Sequence, residues 1–413
     1  MKLYKALLAI GVVSLAAAAC GTSSKAGSAA SRGASSTSAG ASASSSQATG
    51  SSPYIVGIST DLSGPAAAFG AQEATMAQAM FAQVNASGGI NGHKVDVIVK
   101  DNQNNPNQAI LDAKAFVAAH ANVMMFGPTA TTMTAIQPFG AKTLIVDFGS
   151  GYKPPVPSNI FSISPYDSSP LGATLRFLKQ QGDRRVGLLS SNDAAGSIAQ
   201  QEVESVVKGS YGQSLGMSLA GAVTFDPSNP DVTPEISQIL SSKPQAVISW
   251  VSGGPANVVA KGFTQESTSN IPLIVSWANG SVKFAHSTSS FNPTDLYAPV
   301  FKAILWKQLP ASDRYATLGR QANMLLESYA HQTLDEGGVL AYDPVKMVTL
   351  ALAKGGTSLS AQVSALEHVS NYQGMEGTYN ITVTDHKGES SLQNDALVIA
   401  HIVNGSYVLP SAA

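Results

Sequence analysis

Cysteine is almost absent from this chain, since Cys20 is the only one among 413 residues. A disulfide within the chain is therefore impossible. Charge is also sparse: 12% of the residues are charged and the formal net charge is −2. This composition provides no basic surface for nucleic acid, which we exclude as a partner. Hydrophobic residues make up 44% of the chain, so we expect a globular body, long enough for two domains with their own cores.

The common signatures of catalysis and metal binding are missing as well. The chain contains no His-Glu-x-x-His, no Gly-x-Ser-x-Gly and no phosphate-loop glycine–lysine motif, and its seven histidines show no metal-ligand spacing. Residues 150–153 (SGYK) match the serine–lysine pattern of penicillin-recognising enzymes, but the Lys-Thr-Gly and Ser-Asp-Asn partners of that pattern do not occur. We therefore predict a protein that is not an enzyme and that uses neither a metal nor a cofactor.

Residues 1–20 have the features of a targeting segment. Lys2 and Lys5 give it a positive start, and residues 6–19 are apolar but too few for a permanent membrane helix. Residues 17–20 (AAAC) resemble the lipobox of bacterial lipoproteins. That resemblance implies cleavage before Cys20 and lipidation of its thiol, which would anchor the protein to a membrane. The alternative is an incidental thiol with no such role.

Residues 21–52 are almost entirely serine, alanine, glycine and threonine. Such a segment can bury little apolar surface and is predicted to be a flexible tether. As a random coil it would span roughly 30 Å between its ends. It would therefore hold the folded body away from a lipid surface, and we expect that body to begin at Pro53.

The folded body opens with the pattern of a βαβ unit. Residues 55–59 form a short apolar run rich in β-branched side chains, and residues 63–65 (SGP) break it. Residues 66–84 then predict a helix, which Gly88 and Gly89 end, and residues 95–99 predict a second strand. The alternation of strand, small-residue turn and helix continues along the chain, with further strands expected at 123–126, 143–146, 159–164, 185–190, 221–225, 246–251 and 273–277. This alternation is typical of doubly wound parallel sheets.

Three motifs follow one another near the start of this body. They are residues 62–70 (LSGPAAAFG), 85–92 (NASGGING) and 100–106 (KDNQNNP). In order and spacing they resemble the opening of the branched-chain amino-acid-binding proteins, which are type I periplasmic binding proteins that serve ABC importers. The resemblance implies an α/β fold of two doubly wound parallel-sheet lobes joined by a three-strand hinge.

That resemblance also implies where the lobes begin and end. The first lobe is expected at residues 53–167 plus 298–377, and the second at 168–297 plus 378–413. Residues 295–306 would carry the return to the first lobe, and residues 374–377 would mark a third crossing. Residues 378–385 and 396–403 are expected to be the last strands of the second lobe.

The implied function is capture of a small solute in the cleft between the lobes. The protein would be an extracytoplasmic monomer, lipid-anchored at Cys20, that delivers its solute to the membrane subunits of an ABC permease. An alternative from another class is a module that presents the bound solute to a receptor or sensor kinase. The expected solute is a small carboxylate or amide with an apolar or aromatic body, or an amino-acid-like compound.

Candidate binding residues of the first lobe follow the ends of its predicted strands, where open α/β sheets bind ligands. Ala130, Thr131 and Thr132 stand where the family binds the ligand carboxylate, and hydroxyl and backbone N–H groups suit an anion. Either threonine could instead simply cap the helix that follows. Gly149 and Ser150 match a second contact of the family. Phe69, the remaining candidate, stands where the family often has a tyrosine against the ligand.

The second lobe departs from the family. Its matching positions are Ala195, Ser252, Gly253, Trp277 and Asn279, and no acid stands where the family places a glutamate for the ligand ammonium. An ammonium group without a partner is costly to bury. Two acids after predicted strands, Asp147 and Asp193, are candidate replacements; the alternative is that each simply caps a turn. Trp250 and Trp277 could stack on an apolar or aromatic ligand.

Overall fold

The strands of the first lobe are short apolar runs that pair in parallel. A computed structural model describes residues 51–410 except 65, 150–151, 166–167, 252, 267–269, 292 and 390. The first sheet has the order β2-β1-β3-β4-β5. Its elements in chain order are β1 Tyr54–Thr60, α1 Ala67–Ala86, β2 Val95–Asp101, α2 Pro106–Ala118, β3 Val123–Phe126, α3 Ala130–Ile136, β4 Leu144–Asp147 and β5 Ile160–Ser162, with a 3₁₀ turn at Gln137–Ala141.

The second lobe repeats this plan and adds a hairpin. Its sheet has the order β14-β13-β10-β9-β8-β6-β7, in which β13 runs antiparallel to β10. The elements up to β10 are α4 Ser168–Gln181, β6 Arg185–Ser191, α5 Ala194–Lys208, α6 Ser210–Ser214, β7 Ser218–Phe225, α7 Thr233–Ser241, β8 Ala246–Ser249, α8 Gly254–Gln265, β9 Leu273–Val275, α9 Val282–Ser287 and β10 Leu296–Phe301. Short 3₁₀ turns lie at Trp277–Asn279, Thr288–Ser290 and Lys302–Leu305.

The last quarter of the chain returns to the first lobe before it ends in the second. Helix α11 packs along α1, and α12 packs on α11. The elements are α10 Arg314–Ala330, α11 Glu336–Gly355, α12 Leu359–Glu367, β11 Tyr372–Gln373, β12 Thr378–Tyr379, β13 Leu397–Val403 and β14 Ser406–Val408. Two α/β lobes built on parallel sheets, as the sequence predicts, are therefore present.

Apolar side chains cover both faces of the first sheet. Val56 and Ile58 of β1 share a buried cluster with Phe81 of α1, whereas Phe116 of α2 packs edge-to-face on Phe126 of β3 on the other side. This double burial explains why the strands read as continuous apolar runs rather than alternating ones. Among the helices of residues 51–410, none combines the length and the apolarity that a membrane crossing requires.

Three features of the lobe boundaries differ from the sequence prediction. The predicted division between residues 297 and 298 falls inside β10, which pairs along its length with β13 and also with β9. The strand is therefore an interior member of the second sheet, and the return to the first lobe follows it. Residues 374–377 are not a crossing but the turn between β11 and β12, held by the Asp343 carboxylate, which accepts the Met375 and Glu376 N–H groups at 3.0 and 2.9 Å.

The third difference concerns residues 378–385, which do not form a strand of the second sheet. Only Thr378–Tyr379 is a strand there, paired with β11. The Ile381 N–H group then donates to the Val369 carbonyl at 2.8 Å, and the Ser162 N–H group donates to the His386 carbonyl at 3.0 Å. These bonds fasten the segment to the first lobe, so the third crossing lies after Lys387 and before β13.

Candidate functional site

A cleft of about 750 Å³ opens where the carboxyl ends of the two sheets face each other. Its wall is built mostly from the loops and helix starts that follow β1, β2, β3 and β4 in the first lobe and β6, β8 and β9 in the second. Helices α9 and α11 close one side. The described lining residues are Ala66, Ala68, Phe69, Asn104, Pro128, Thr129, Ala130, Gly149, Ala195, Ile198, Ala199, Glu202, Trp250, Gly253, Gly254, Asn257, Ser276, Trp277, Ala278, Asn279, Ser281, Lys283, Phe284, Ser287, Glu336 and Leu340.

The loop after β1 carries Phe69 to this wall. The buried Asp61 carboxylate accepts the Gly64 N–H group and, at 2.7 Å, the Ala66 N–H group. Asp101, at the end of the neighbouring strand β2, accepts the Leu62 N–H group at 2.9 Å. Two acids at adjacent strand ends therefore fix the turn that starts α1, and Phe69 lies in the first turn of that helix.

The segment before α3 presents Thr129 and Ala130 to the cleft. The Thr129 hydroxyl donates to the Asn104 side-chain oxygen at 2.6 Å, so these two residues form one polar group of the wall. Neither residue is among the candidates chosen from the sequence, although each follows a predicted strand. Ala130 lies on the wall. Thr131 and Thr132 are not on the wall. Thr131 lies beside it. Thr132 is fully buried, and its hydroxyl donates to the Thr129 carbonyl at 2.7 Å.

Gly149 lines the cleft next to α11. Its φ of +83° lies in the left-handed region that favours glycine. A Cβ at this position would lie 3.0 Å from Leu340 Cδ1 and 3.3 Å from Glu73 Oε1. The strand end and α11 therefore meet closely here. Ser150, the companion of Gly149 in the prediction, lies outside the described residues.

The predicted second-lobe residues that the structure describes all lie on the wall. They are Ala195, Gly253, Trp277 and Asn279, whereas Ser252 lies outside the described residues. The Asn279 amide is engaged within its own lobe, since its nitrogen donates to the Val251 carbonyl at 2.8 Å and its oxygen accepts the Gly253 N–H group at 3.0 Å. It therefore shapes the wall. Trp250 adds a second indole ring to this side.

The two acids predicted as amine partners are not on the wall. The Asp193 carboxylate caps α5, where it accepts the Gly196 N–H group at 2.8 Å and the Ser191 hydroxyl at 2.7 Å. The Gly196 bond, followed by the Ser191 bond, lowers the pKa of Asp193. Asp147 is fully buried within the first lobe and accepts the Ser162 hydroxyl at 2.6 Å. The alternative stated for both residues is a turn cap. The contacts of Asp193 fit that alternative, whereas the Ser162 hydroxyl bound by Asp147 belongs to the neighbouring strand β5.

Glu336 is an acid of the cleft that the sequence analysis missed. It begins α11, lines the cleft and is only 2% exposed. Burial, followed by the nearby Asp335 and Glu73 carboxyl groups, raises the pKa of Glu336 well above its ordinary value. The strand-end rule could not find it, because no strand precedes α11. A signal was nevertheless present, since Asp335-Glu336 before an apolar run is typical of a helix start.

Three comparisons with known proteins bear on this architecture. The model of the periplasmic binding protein family matches residues 53–394. The chain belongs to the periplasmic binding protein family. A comparison with curated proteins by sequence finds no match.

Several solved structures have a similar fold. An extracellular ligand-binding receptor from Rhodopseudomonas palustris HaA2 is 18% identical with a TM-score of 0.71, covering 87% of this chain and 99% of that one. A solute-binding protein of an ABC transporter from R. palustris, in complex with 4-hydroxybenzoate, is 16% identical with a TM-score of 0.68, covering 87% and 96%. LivJ of Streptococcus pneumoniae, a branched-chain amino acid transporter substrate-binding protein in complex with isoleucine, is 16% identical with a TM-score of 0.66, covering 86% and 97%.

Family membership confirms several expectations from the sequence. The fold is the type I periplasmic binding protein fold of two α/β lobes, as the resemblance implied. Members of the family are non-enzymatic, extracytoplasmic ligand binders, so this periplasmic binding protein is not an enzyme.

Proposed function

We propose that this periplasmic binding protein is the solute receptor of an ABC importer and closes its two lobes around one small molecule. The observation that carries the proposal is the shared cleft. Its wall takes residues from both lobes at the strand ends, where open α/β sheets bind ligands. A solute held there touches both lobes at once, so its binding favours the closed arrangement over the open one.

The wall favours a solute with an apolar body. Phe69 of the first lobe and Trp250 and Trp277 of the second provide aromatic surface, and Ile198 is 60% exposed beside them. Burial of such aromatic and aliphatic surface against an apolar ligand contributes favourable binding free energy. The solved relatives bound to 4-hydroxybenzoate and to isoleucine hold small molecules with such bodies.

A polar end of the solute is proposed to lie against the first lobe near Thr129. The Thr129 hydroxyl and the Asn104 amide stand together on that part of the wall, beside Ala130 and Gly149. Hydroxyl, amide and backbone N–H groups suit a carboxylate or an amide. The proposed solute is therefore a small carboxylate, amide or amino-acid-like compound.

The proposal includes attachment to the outer face of the cell membrane. The lipobox-like residues before Cys20 and the Ser/Ala/Gly-rich tether support a lipid anchor there, although residues 1–50 lie outside the described part of the chain. Several acyl chains, at about 0.8 kcal/mol for each buried CH₂, would hold such an anchor firmly. We propose that the protein acts there as a monomer, with the permease as its partner.

Calorimetric titration of the purified protein with a panel of solutes tests this function. The panel contains apolar amino acids, aromatic and aliphatic carboxylates, and their amides. The expected result is binding of at least one compound with one site per chain and no chemical change in it. Absence of binding across the panel, or hydrolysis of a panel member, would contradict the proposed function.

A further inference from the structure

We propose that Glu336 is the residue that selects the solute, and that it does so by pairing with an ammonium group of that solute. This inference rests on the proposed function, because it assumes that the cleft is the binding site. It differs from the arrangement implied by the family resemblance, in which the acid comes from the second lobe. Here the acid comes from the start of α11 in the first lobe.

The position of Glu336 places its carboxyl group between the two lobes. Both of its carboxyl oxygens lie 3.3 Å from the point that a Cβ on Gly280 would occupy, and Gly280 belongs to the second lobe. Leu340 lies one turn further along the same face of α11 and contacts the Gly149 position. The Glu336 carboxyl group therefore faces the second lobe at one end of the cleft, next to the apolar lining formed by Leu340.

The carboxyl group of Glu336 is incompletely paired. Its Oε2 atom is buried and has no hydrogen-bond partner among the described residues. A buried polar atom without a partner is destabilising, so a ligand group that donates a hydrogen bond to this oxygen is bound more tightly. Among the described lining residues the only cationic side chain is Lys283, which is exposed. The missing partner is therefore expected to come with the solute.

The charge around Glu336 favours a cation over an anion as that partner. Asp335 precedes it on α11, and Glu73 of α1 is close enough to disfavour its ionisation. A carboxylate brought to this end of the cleft would disfavour ionisation of these carboxyl groups further, whereas an ammonium would favour the ionised form of Glu336 and pair with it. Glu202 of α5 is the other acid on the described wall and is only partly buried, so it is the rival for this role.

Matched probe compounds distinguish the contribution of the ammonium group to binding from that of the rest of the solute. The set is leucine, isopentylamine and 4-methylpentanoate, with phenylalanine, 2-phenylethylamine and 3-phenylpropanoate as the aromatic counterparts. The two amines lack a carboxylate and the two acids lack an amine. They therefore distinguish an amino acid from a simple amine as the source of the ammonium. Each compound is titrated calorimetrically into the full protein and into its variants.

The expected result is that compounds with an ammonium bind and that Glu336→Gln weakens them at least tenfold. The same variant should leave any affinity for the two acids unchanged, because the amide keeps the shape of the side chain. Glu327→Gln, at an exposed position of α10 outside the cleft, is the matched control and should behave as the original protein. Comparable loss in Glu202→Gln with no loss in Glu336→Gln would overturn the assignment.

A measurement on the unaltered protein guards against a variant that fails to fold. Burial raises the pKa of Glu336 well above its ordinary value, and an arriving ammonium is expected to lower it again and so to displace a proton that the free carboxyl holds. Titration in two buffers of different ionisation enthalpy should therefore report proton release with the amines. The groups that influence Glu336 are Asp335, Glu73 and Tyr407, and Glu73→Gln should retain the release. Absence of release would count against the proposal.

The outcomes also separate this inference from the proposed function. If the acids bind and the ammonium compounds do not, Glu336 is not an ammonium site, yet the protein remains a solute receptor. If neither these probes nor the wider panel binds, both statements fail.

Discussion

Glu73 is a fully buried carboxyl group beneath the first-lobe wall, with the Thr60 hydroxyl on its Oε2 at 2.6 Å. Burial is the main cause that raises the pKa of Glu73 from 4.5 to about 8, and the Thr60 bond partly offsets it. In that pH window the folded protein holds a proton that the unfolded chain has released. The free energy of unfolding should therefore fall as pH rises through the window.

Glu73→Gln should reduce this pH dependence, because the amide does not titrate and its oxygen can still accept the Thr60 hydroxyl. The measurement is urea unfolding at about pH 5 and about pH 8. Asp343 and Glu389 have pKa values raised by burial to about 6 and about 7, so some dependence should persist in the variant. Glu327→Gln serves as the control. An identical loss of stability with pH in all three proteins would show that Glu73 is not a source of it.

Thr129 contributes the hydroxyl that we expect to meet the polar end of the solute. Thr129→Val removes that hydroxyl and leaves Asn104 without its 2.6 Å donor. Affinity for a bound carboxylate or amide should fall by about 1–3 kcal/mol. Thr134→Val, whose hydroxyl only bonds its own helix at the Ala130 carbonyl, provides the matched control. Equal calorimetric affinities for Thr129→Val and the original protein would remove Thr129 from the site.

The three tryptophans offer an internal reporter of binding. Trp250 and Trp277 line the cleft, whereas Trp306 does not. A solute that covers the two indoles should change their fluorescence. The change should survive Trp306→Phe and should shrink in Trp250→Phe and in Trp277→Phe. A response lost only in Trp306→Phe would place the solute elsewhere.

Among the elements, the start of α11 makes a direct contact with the second lobe. The Asp335 carboxylate accepts the Val282 N–H group at 2.9 and 3.2 Å, and Val282 begins α9 in the second lobe. The same carboxylate accepts the Glu336 N–H group at 2.8 Å and so caps its own helix. One side chain therefore caps its own helix and holds the start of a helix in the other lobe, which favours the closed arrangement.

Asp335→Ala is expected to weaken solute binding about tenfold, or roughly 1.4 kcal/mol, because the closed arrangement loses a contact that spans the lobes. The comparison is Asp313→Ala, which removes the cap of α10 at the Tyr315 N–H group. Asp313→Ala should lower the free energy of unfolding by about 1 kcal/mol with little effect on affinity. Equal affinities for the two variants in calorimetry would contradict a role of Asp335 in closure.

Some of the secondary-structure elements could be predicted from the sequence and others could not. Strands β1, β3 and β8 were recognisable because each is an apolar run next to glycine, proline or small residues. Residues 378–385 are rich in β-branched side chains and so look like a strand. Their conformation is set instead by hydrogen bonds to residues of the first lobe that are distant in sequence, such as the bond to the Val369 carbonyl. The same limit applies to the candidate site. The ends of predicted strands indicated Ala130, Gly149 and Trp277 as candidates. Glu336 comes from a helix start that reaches the cleft only through the packing of the folded protein.

At the scale of the whole molecule, each lobe supplies only part of the proposed site. The first lobe carries Phe69, Thr129 and Glu336, and the second carries the indoles of Trp250 and Trp277. Neither set encloses a solute alone, so affinity should depend on closure at the three crossings. Ligand that binds only the closed form also stabilises the folded protein by mass action.

The most direct test of this account is a crystal structure of the protein with the panel compound that binds most tightly. We predict one molecule in the cleft, in contact with Phe69 and Thr129 on one side and Trp277 on the other, with its ammonium, where it has one, against Glu336. A compound bound on the surface of a single lobe, or outside the cleft altogether, would contradict the account.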